Sequence, residues 1–277
     1  LLIFDEPTAV LSPNEVEELF AVLRRLRDEG NAVILIAHKL AEIMALADRV
    51  TVLRRGVRVA SAPIETTSTE QLAEWMIGEK PPQSDTNSPK VEADKQESVF
   101  RAEHLCVKGD RGETAIPDLS LELRANEIYG IGGVDGNGQV ELAEALVGLR
   151  PLASGSLSWK GSPFDPKSNP VTGYIPQDRR RVGLAVTMSV EENLLFEASQ
   201  NPNYRKGFLL KTRSLRELAA QLITQFDIRT PSANHTAESL SGGNQQKIVV
   251  ARALHPRPEW IVAMNPTRGL DIGATRF

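Results

Sequence analysis

The chain opens on an apolar run, residues 1–4, that ends at Asp5 and Glu6, and a second run, residues 32–37, ends just before His38. Both are short and aliphatic, so each predicts a buried strand. Between them Val16, Leu19, Phe20, Leu23 and Leu26 recur at helical spacing. Ser12, Pro13 and Glu15 mark the start of that helix as a capping box with proline in its first turn, and Gly30 marks its end. Residues 40–47 predict a short helix. Residues 49–54 and 57–60 predict a hairpin turning at Arg55-Gly56, and residues 68–77 a helix stopped by Gly78.

Residues 79–98 break this pattern. Pro81, Pro82 and Pro89 stand among polar and charged residues with almost no large apolar side chain, the composition of a linker. A second series begins near Val99. It predicts strands at residues 99–107 and 119–123, a buried strand at 127–131, a glycine loop, and a helix at 141–147. A hairpin around Gly161, a strand at 171–175 and helices at 189–198 and 214–226 follow, the first of these opened by a capping box of Ser189 and Glu192. A helix entered at Ser241 and a strand at 260–263 close the series. The organisation expected is a first unit over residues 1–78, a linker over 79–98, and a second unit over 99–277.

Composition narrows the function. With 41% hydrophobic and 25% charged residues the chain has the mixture of a globular protein, and nothing in a net charge of −4 suggests a general nucleic-acid binder. The single cysteine, Cys106, allows no internal disulfide. The longest apolar run is too short to cross a bilayer. The chain starts on a strand pattern with no initiator Met and stops after another, so a piece of a longer protein is expected.

Three stretches carry chemistry. Asp5 and Glu6 end a strand, where α/β folds place ligand chemistry. Gly133, Gly136 and Gly138 lie between a strand and a helix, where backbone amides can cradle phosphate oxygens. Ser241, Gly242 and Gly243 open a helix whose exposed N–H groups favour an anion.

Residues 240–254, Leu-Ser-Gly-Gly-Asn-Gln-Gln-Lys-Ile-Val-Val-Ala-Arg-Ala-Leu, closely resemble the signature of ABC-type ATPases, with Asn244 where many members have Gln. The resemblance implies an α/β fold of P-loop NTPase (ABC ATPase) domains, each with an antiparallel β subdomain and a helical subdomain. It implies ATP and Mg²⁺ as ligands. Residues 1–6 resemble a Walker B motif, in which Asp5 holds Mg²⁺ and Glu6 is the general base; His38 takes the place of the switch histidine near the γ-phosphate. Gly133, Gly136, Asn137, Gly138, Gln139 and Val140 fall on the P-loop. Gln177 falls on the Q-loop glutamine, and Ser241, Gly242, Gly243 and Asn244 on the signature. In this family two ATPase domains pair head to tail. The first unit's Asp5, Glu6 and His38 would therefore serve a site completed by the second unit's signature, with the first unit's own P-loop upstream of Leu1.

The departures are informative. Gln139 stands where the pattern has Lys and Val140 where it has Ser or Thr, so both the phosphate charge partner and the metal hydroxyl are missing. Met264-Asn265-Pro266-Thr267 repeats Asp5-Glu6-Pro7-Thr8 without either carboxylate. Ser12 replaces the usual D-loop Asp, which returns at Asp271. One competent and one degenerate site follow.

The Gly-Asn-Gly-Gln form and the runs 174–179 and 265–271 resemble importers of simple sugars and nucleosides. That class implies integral-membrane permease subunits as partners, a periplasmic or lipid-anchored solute-binding protein acting indirectly, no nucleic acid, and a peripheral position on the cytoplasmic face of the membrane. Two alternatives remain at this point: a ribosome-associated tandem ATPase, against which the short proline-bearing linker and the lost carboxylates argue, and a non-hydrolytic nucleotide-binding remnant.

Overall fold

The computed structural model describes residues 1–8, 11–54, 56–78, 97–134, 136–167, 172–198, 201–206 and 209–267. These fall into two compact units, one of residues 1–88 with 267–277 and the other of residues 89–266. The linker expected over 79–98 falls almost wholly outside the described residues, as do Arg55, Asp135 and the expected D-loop Asp271.

In the first unit β1 (Leu2–Asp5) lies parallel to β2 (Val33–Ile36), with α1 (Pro13–Asp28) between them in sequence. The α1 start is the capping box expected: Ser12 N–H donates to Glu15 Oε2 at 2.7 Å and Glu15 N–H to Ser12 Oγ at 3.5 Å. Then come α2 (Leu40–Leu46), the hairpin of β3 (Arg49–Arg54) and β4 (Val57–Pro63), and α3 (Thr69–Ile77). Gly78 caps α3 at φ +93°, the left-handed conformation glycine adopts without penalty. Val50, Val52 and Leu72 form the core between the hairpin and the two short helices.

One expectation changes here. β1 and β2 are not buried on both faces: Ile3 is 62% exposed, and Ile34 and Ile36 are exposed beside it. The in-register pairs Ile3↔Ile34 and Asp5↔Ile36 share one side of the sheet, because side chains alternate along a strand. Among the described residues that side has no covering layer, so an apolar run reads as buried in sequence yet stays open in this structure.

The second unit begins with a long antiparallel pair, β5 (Ser98–Lys108) and β6 (Thr114–Arg124). The helix α4 (Gln139–Leu146) and the strands β7 (Leu152–Trp159) and β8 (Ser162–Pro163) complete a sheet of order β6-β5-β7-β8. Phe100 stacks on Trp260 with ring centroids 4.5 Å apart, beside Trp159 and Phe164. β9 (Thr172–Ile175) and β12 (Trp260–Ala263) pair in parallel. Between them lie α5 (Val190–Leu195), the short ribbon β10 (Arg205–Lys206) and β11 (Leu209–Leu210), α6 (Thr212–Gln225) and α7 (Gly242–Leu254). The helices share a separate core around Leu194, Leu222, Ile248 and Val249. The capping box of Ser189 and Glu192 starts α5 as expected.

Residues 127–131, expected as a buried strand, form no strand, and Ile128 is 99% exposed. A strand needs a neighbour to take its N–H and C=O groups. Among the described residues the parallel sheet of this unit is β9 and β12 alone, and neither pairs with this segment. Residues 178–181 form a tight, solvent-facing turn. Asp178 Oδ1 accepts from both Arg180 N–H and Arg181 N–H at 3.0 Å, while burial pushes the Arg179 guanidinium below its usual range.

Candidate functional site

In the first unit the strand ladder runs one residue past β1: Glu6 N–H donates to Ile36 O at 2.8 Å. This brings the end of β1 level with the end of β2, which leads into His38. Glu6 Oε1 lies 2.9 Å from His38 Nδ1. Since a carboxylate only accepts, Nδ1 carries the proton, which fixes the ring's orientation. Both side chains keep access to solvent, at 45% exposed for Glu6 and 24% for His38. Glu6 sits at φ +45°, a conformation that costs a non-glycine residue roughly 1–2 kcal/mol. Such local strain is typical of functional turns.

Asp5 ends β1 on the open face of the sheet. Among the described residues no group of three or more His, Cys, Asp or Glu side chains could hold a metal ion by itself. A lone strand-end carboxylate next to Glu6 suits Mg²⁺, which takes most of its ligands from phosphate and water.

In the second unit the glycine loop leads into α4. Gly138 is the N-cap at φ +94°, and a Cβ there would stand 2.9 Å from Ala115 O. Glycine is required at that position by both conformation and space. Gly136, at φ +88°, is open. Gln139 folds back into the loop: its Nε2 donates to Val134 O at 2.8 Å, and its Oε1 accepts from Asn137 N–H at 3.0 Å. Asn137 Nδ2 donates to the same Val134 O at 3.0 Å. A neutral amide thus takes one of the N–H groups a phosphate needs. Val140 follows in the first turn of α4 and brings no hydroxyl. The loop retains the turn of a phosphate cradle but not its charge.

Ser241 caps α7, its Oγ accepting from Asn244 N–H at 3.5 Å and Asn244 Nδ2 at 3.0 Å. Asn244 Oδ1 accepts from Arg229 N–H at 2.8 Å, which locks Asn244 to the preceding loop. Gly242 and Gly243 begin the helix and leave its first N–H groups without side-chain cover. Gln177 follows Pro176 at the end of β9 and is half-buried. The structure therefore brings together Glu6 and His38, then Gly136, Asn137, Gly138, Gln139 and Val140 with Gly133 beside them, then Ser241 to Asn244, as local groups within their own units.

The repeat is visible in geometry as well as in sequence. Met264 N–H donates to Ile175 O at 2.8 Å as the ladder of β12 continues. Asn265, the counterpart of Glu6, sits at φ +41°. Tyr174 Oη lies 4.0 Å from Met264 Sδ, and burial, with the Glu144 charge, pushes the Tyr174 phenol up to about 12. Neither Met264 nor Asn265 brings a carboxylate to this turn.

Several residues with structural work here were missed in the sequence. Thr8 and Glu42 form a buried hydrogen-bonded pair near Glu6, joined from the surface by the exposed Lys39. Gln245 and Gln246 are buried on α7, donating to Ala237 O at 3.0 Å and Pro266 O at 2.9 Å. Their signal was polar residues on the helix face that Ile248 and Val249 show to be the inner one.

Residues 116–268, just over half of the chain, match the family described as ABC transporter. The nucleoside import ATP-binding protein NupA of Lactococcus lactis is 39% identical over 282 residues, covering 100% of this chain and 55% of that protein. The guanosine import ATP-binding protein NupO of Bacillus subtilis is 40% identical, with the same coverage. The chain spans about half the length of the curated relatives it matches. A solved structure of the ATP-binding cassette MJ0796, bound to ADP and Pi, superposes with a TM-score of 0.52 at 22% identity, over 64% of this chain and 78% of that one. The glycine loop, the Ser-Gly-Gly helix start and the α/β layers with their antiparallel and helical parts are thus the fold of an ABC ATPase, and the chain belongs to the ABC transporter family.

Proposed function

We propose that this chain is part of the ATP-hydrolysing subunit of a bacterial importer for a simple sugar or nucleoside, with one competent and one degenerate ATP site. The Glu6–His38 contact of 2.9 Å is the observation that carries the proposal. Phosphoryl transfer to water needs a group to orient and deprotonate the nucleophile and charges to steady the transferring phosphoryl group. Glu6 takes the proton as water oxygen bonds to the γ-phosphorus and the bond to ADP breaks. His38, held by Glu6, stays at the phosphate edge. When bound, Mg²⁺ neutralises phosphate oxygen charge, and Asp5 is the residue that would hold it.

The first unit is read as part of one ATPase domain and the second as another. Support comes from the repeated strand-end turn, with Glu6 and Asn265 at φ +45° and +41°. The degenerate site takes Gln139, Val140, Met264 and Asn265, which lack the charge, hydroxyl and carboxylates of working counterparts. Ser241, Gly242, Gly243 and Asn244 act as an anion-binding helix start, and Gln177 as the Q-loop residue. Import of nucleosides is supported by what NupA and NupO are named for. Permease subunits would receive the work of hydrolysis, and a solute-binding protein would act indirectly. No helix among the described residues is long and apolar enough to cross a membrane, so attachment at the cytoplasmic face through those partners is proposed. ATPase assays of the full-length protein, wild type against Glu6→Gln, test the reading: hydrolysis should collapse while ATP binding persists. An unchanged rate would remove Glu6 from this role.

A further inference from the structure

Behind the Glu6–His38 pair lies a second cluster that takes no part in the chemistry above. Glu42, on the first turn of α2, is only 8% exposed. Its Oε2 accepts from Thr8 Oγ1 at 2.6 Å, and its Oε1 pairs with Lys39 Nζ at 3.0 Å. Lys39 Nζ also donates to Thr8 O at 3.3 Å. Thr8, 3% exposed, is thus held by its hydroxyl and its carbonyl at once. The turn that carries Glu6 ends at Thr8, and the helix that carries Glu42 starts just after His38. The cluster ties one arm of the hydrolytic pair to the other.

A buried carboxylate is costly to desolvate, and an apolar side chain of similar size often replaces such an ion pair without loss of stability. Packing alone therefore does not account for Glu42. The position it fixes is a strained one, since Glu6 two residues before Thr8 is left-handed at φ +45°. A turn in that conformation persists only when its surroundings hold it. The clamp works on both ends of Thr8 and leaves little freedom for the Glu6–Pro7 turn to relax.

We propose that Glu42 is a positioning residue for hydrolysis: through Thr8 and Lys39 it holds the Glu6 turn against the start of α2, so that the Glu6 carboxylate and the His38 ring stay within hydrogen-bond distance. This rests on the reading of Glu6 and His38 as the hydrolytic pair. Glu42 touches neither nucleotide nor water in this role, so it acts on kcat rather than on ATP affinity.

The test uses the full-length protein and compares Glu42→Leu, Glu42→Gln and Thr8→Val, each alone and combined with Glu6→Gln. A misplacement of about 1 Å can cost roughly 10²-fold in rate. Glu42→Leu and Thr8→Val should each lower kcat by about tenfold to a hundredfold at unchanged KM for ATP. Glu42→Gln, which still accepts from Thr8, should recover most of the rate. In the Glu6→Gln background neither change should lower the residual rate further, because residues acting as a unit are not additive. Thr8→Val removes one hydroxyl only and keeps the test open if Glu42→Leu fails to fold. The proposal is overturned if Thr8→Val and Glu42→Leu leave kcat intact while Glu6→Gln abolishes it. It is equally overturned if their losses multiply with that of Glu6→Gln. If Glu6→Gln itself hydrolyses ATP normally, the reading of the site fails, and the positioning role with it.

Discussion

Glu6 and His38, 32 residues apart in the chain, meet at 2.9 Å because two parallel strands end level with one another. In the function proposed above, the contact joins the proton acceptor to the ring held at the phosphate edge. A polar group at the end of one strand orients a group at the end of the next, and both stay accessible. His38→Ala removes the ring and leaves the carboxylate without its partner. Single-turnover hydrolysis in the full-length protein should fall by about 10²–10⁴, the usual cost of losing an acid–base partner. Nucleotide affinity should hold, and a parallel binding titration separates the two effects.

Asn265 repeats the backbone of Glu6, at φ +41° against +45°. Asparagine tolerates the left-handed region better than glutamate does. The turn at Asn265 thus carries a neutral amide where Glu6 carries a carboxylate, and it carries it at lower backbone strain. Asn265→Val places a β-branched side chain in that conformation and should destabilise the protein by about 1–3 kcal/mol. Asn265→Gly should be close to neutral. Denaturant unfolding of the two variants checks the sign and the ordering.

Gln139 fills the glycine loop with its own amide, bonded to Val134 O and Asn137 N–H. On the proposed reading a phosphate would have to displace that amide, and Gln139 itself offers it no positive charge. Gln139→Lys restores the point charge, and the gain of a charge-assisted over a neutral hydrogen bond is about 1–1.5 kcal/mol. Affinity of the second site for ATP should rise about tenfold, measured by titration with a fluorescent nucleotide. Hydrolysis there should stay absent, since Met264 and Asn265 supply neither metal ligand nor base.

The acid side of the stability profile should depend on Asp227. Lys247, on α7, donates to both Asp227 O and Asp227 Oδ2 at 2.8 Å, and that bond, helped by Arg229, holds the Asp227 carboxyl below the usual carboxylate range. The folded state then binds fewer protons than the unfolded one. The stabilisation is present above the ordinary carboxylate range and is lost as pH falls through the lowered value. The carboxylate is solvent-exposed, so the effect is at most about 1 kcal/mol. Asp227→Asn keeps a residue that tolerates φ +43° and should flatten the acid limb of melting temperature against pH while leaving the neutral limb in place.

What was legible in the sequence was what is decided locally. Ser12 with Glu15, Ser189 with Glu192, and Gly78 each write a helix end within a few residues, and the structure shows each of them. The glycine loop and Ser241 were legible for the same reason. The strand expected at residues 127–131 was not realised, because a strand depends on a partner elsewhere and none of the described residues supplies it. The exposed faces of Ile34 and Ile36 follow from the same dependence on a covering layer. Thr8 and Glu42 are 34 residues apart, and no local pattern announces their bond. Gln245 and Gln246 read as polar surface until the packing of α7 turned them inward.

The most direct measurement is the steady-state ATPase rate of the full-length protein carrying Glu6→Gln, set beside Met264→Leu, a volume-conserving change at the matching turn of the second unit. The account expects the first to lose about 10²–10⁴ in rate with ATP still bound, and the second to turn over like the wild type. A Glu6→Gln protein that hydrolyses ATP at the wild-type rate, or a Met264→Leu protein that fails as badly as Glu6→Gln, would contradict it.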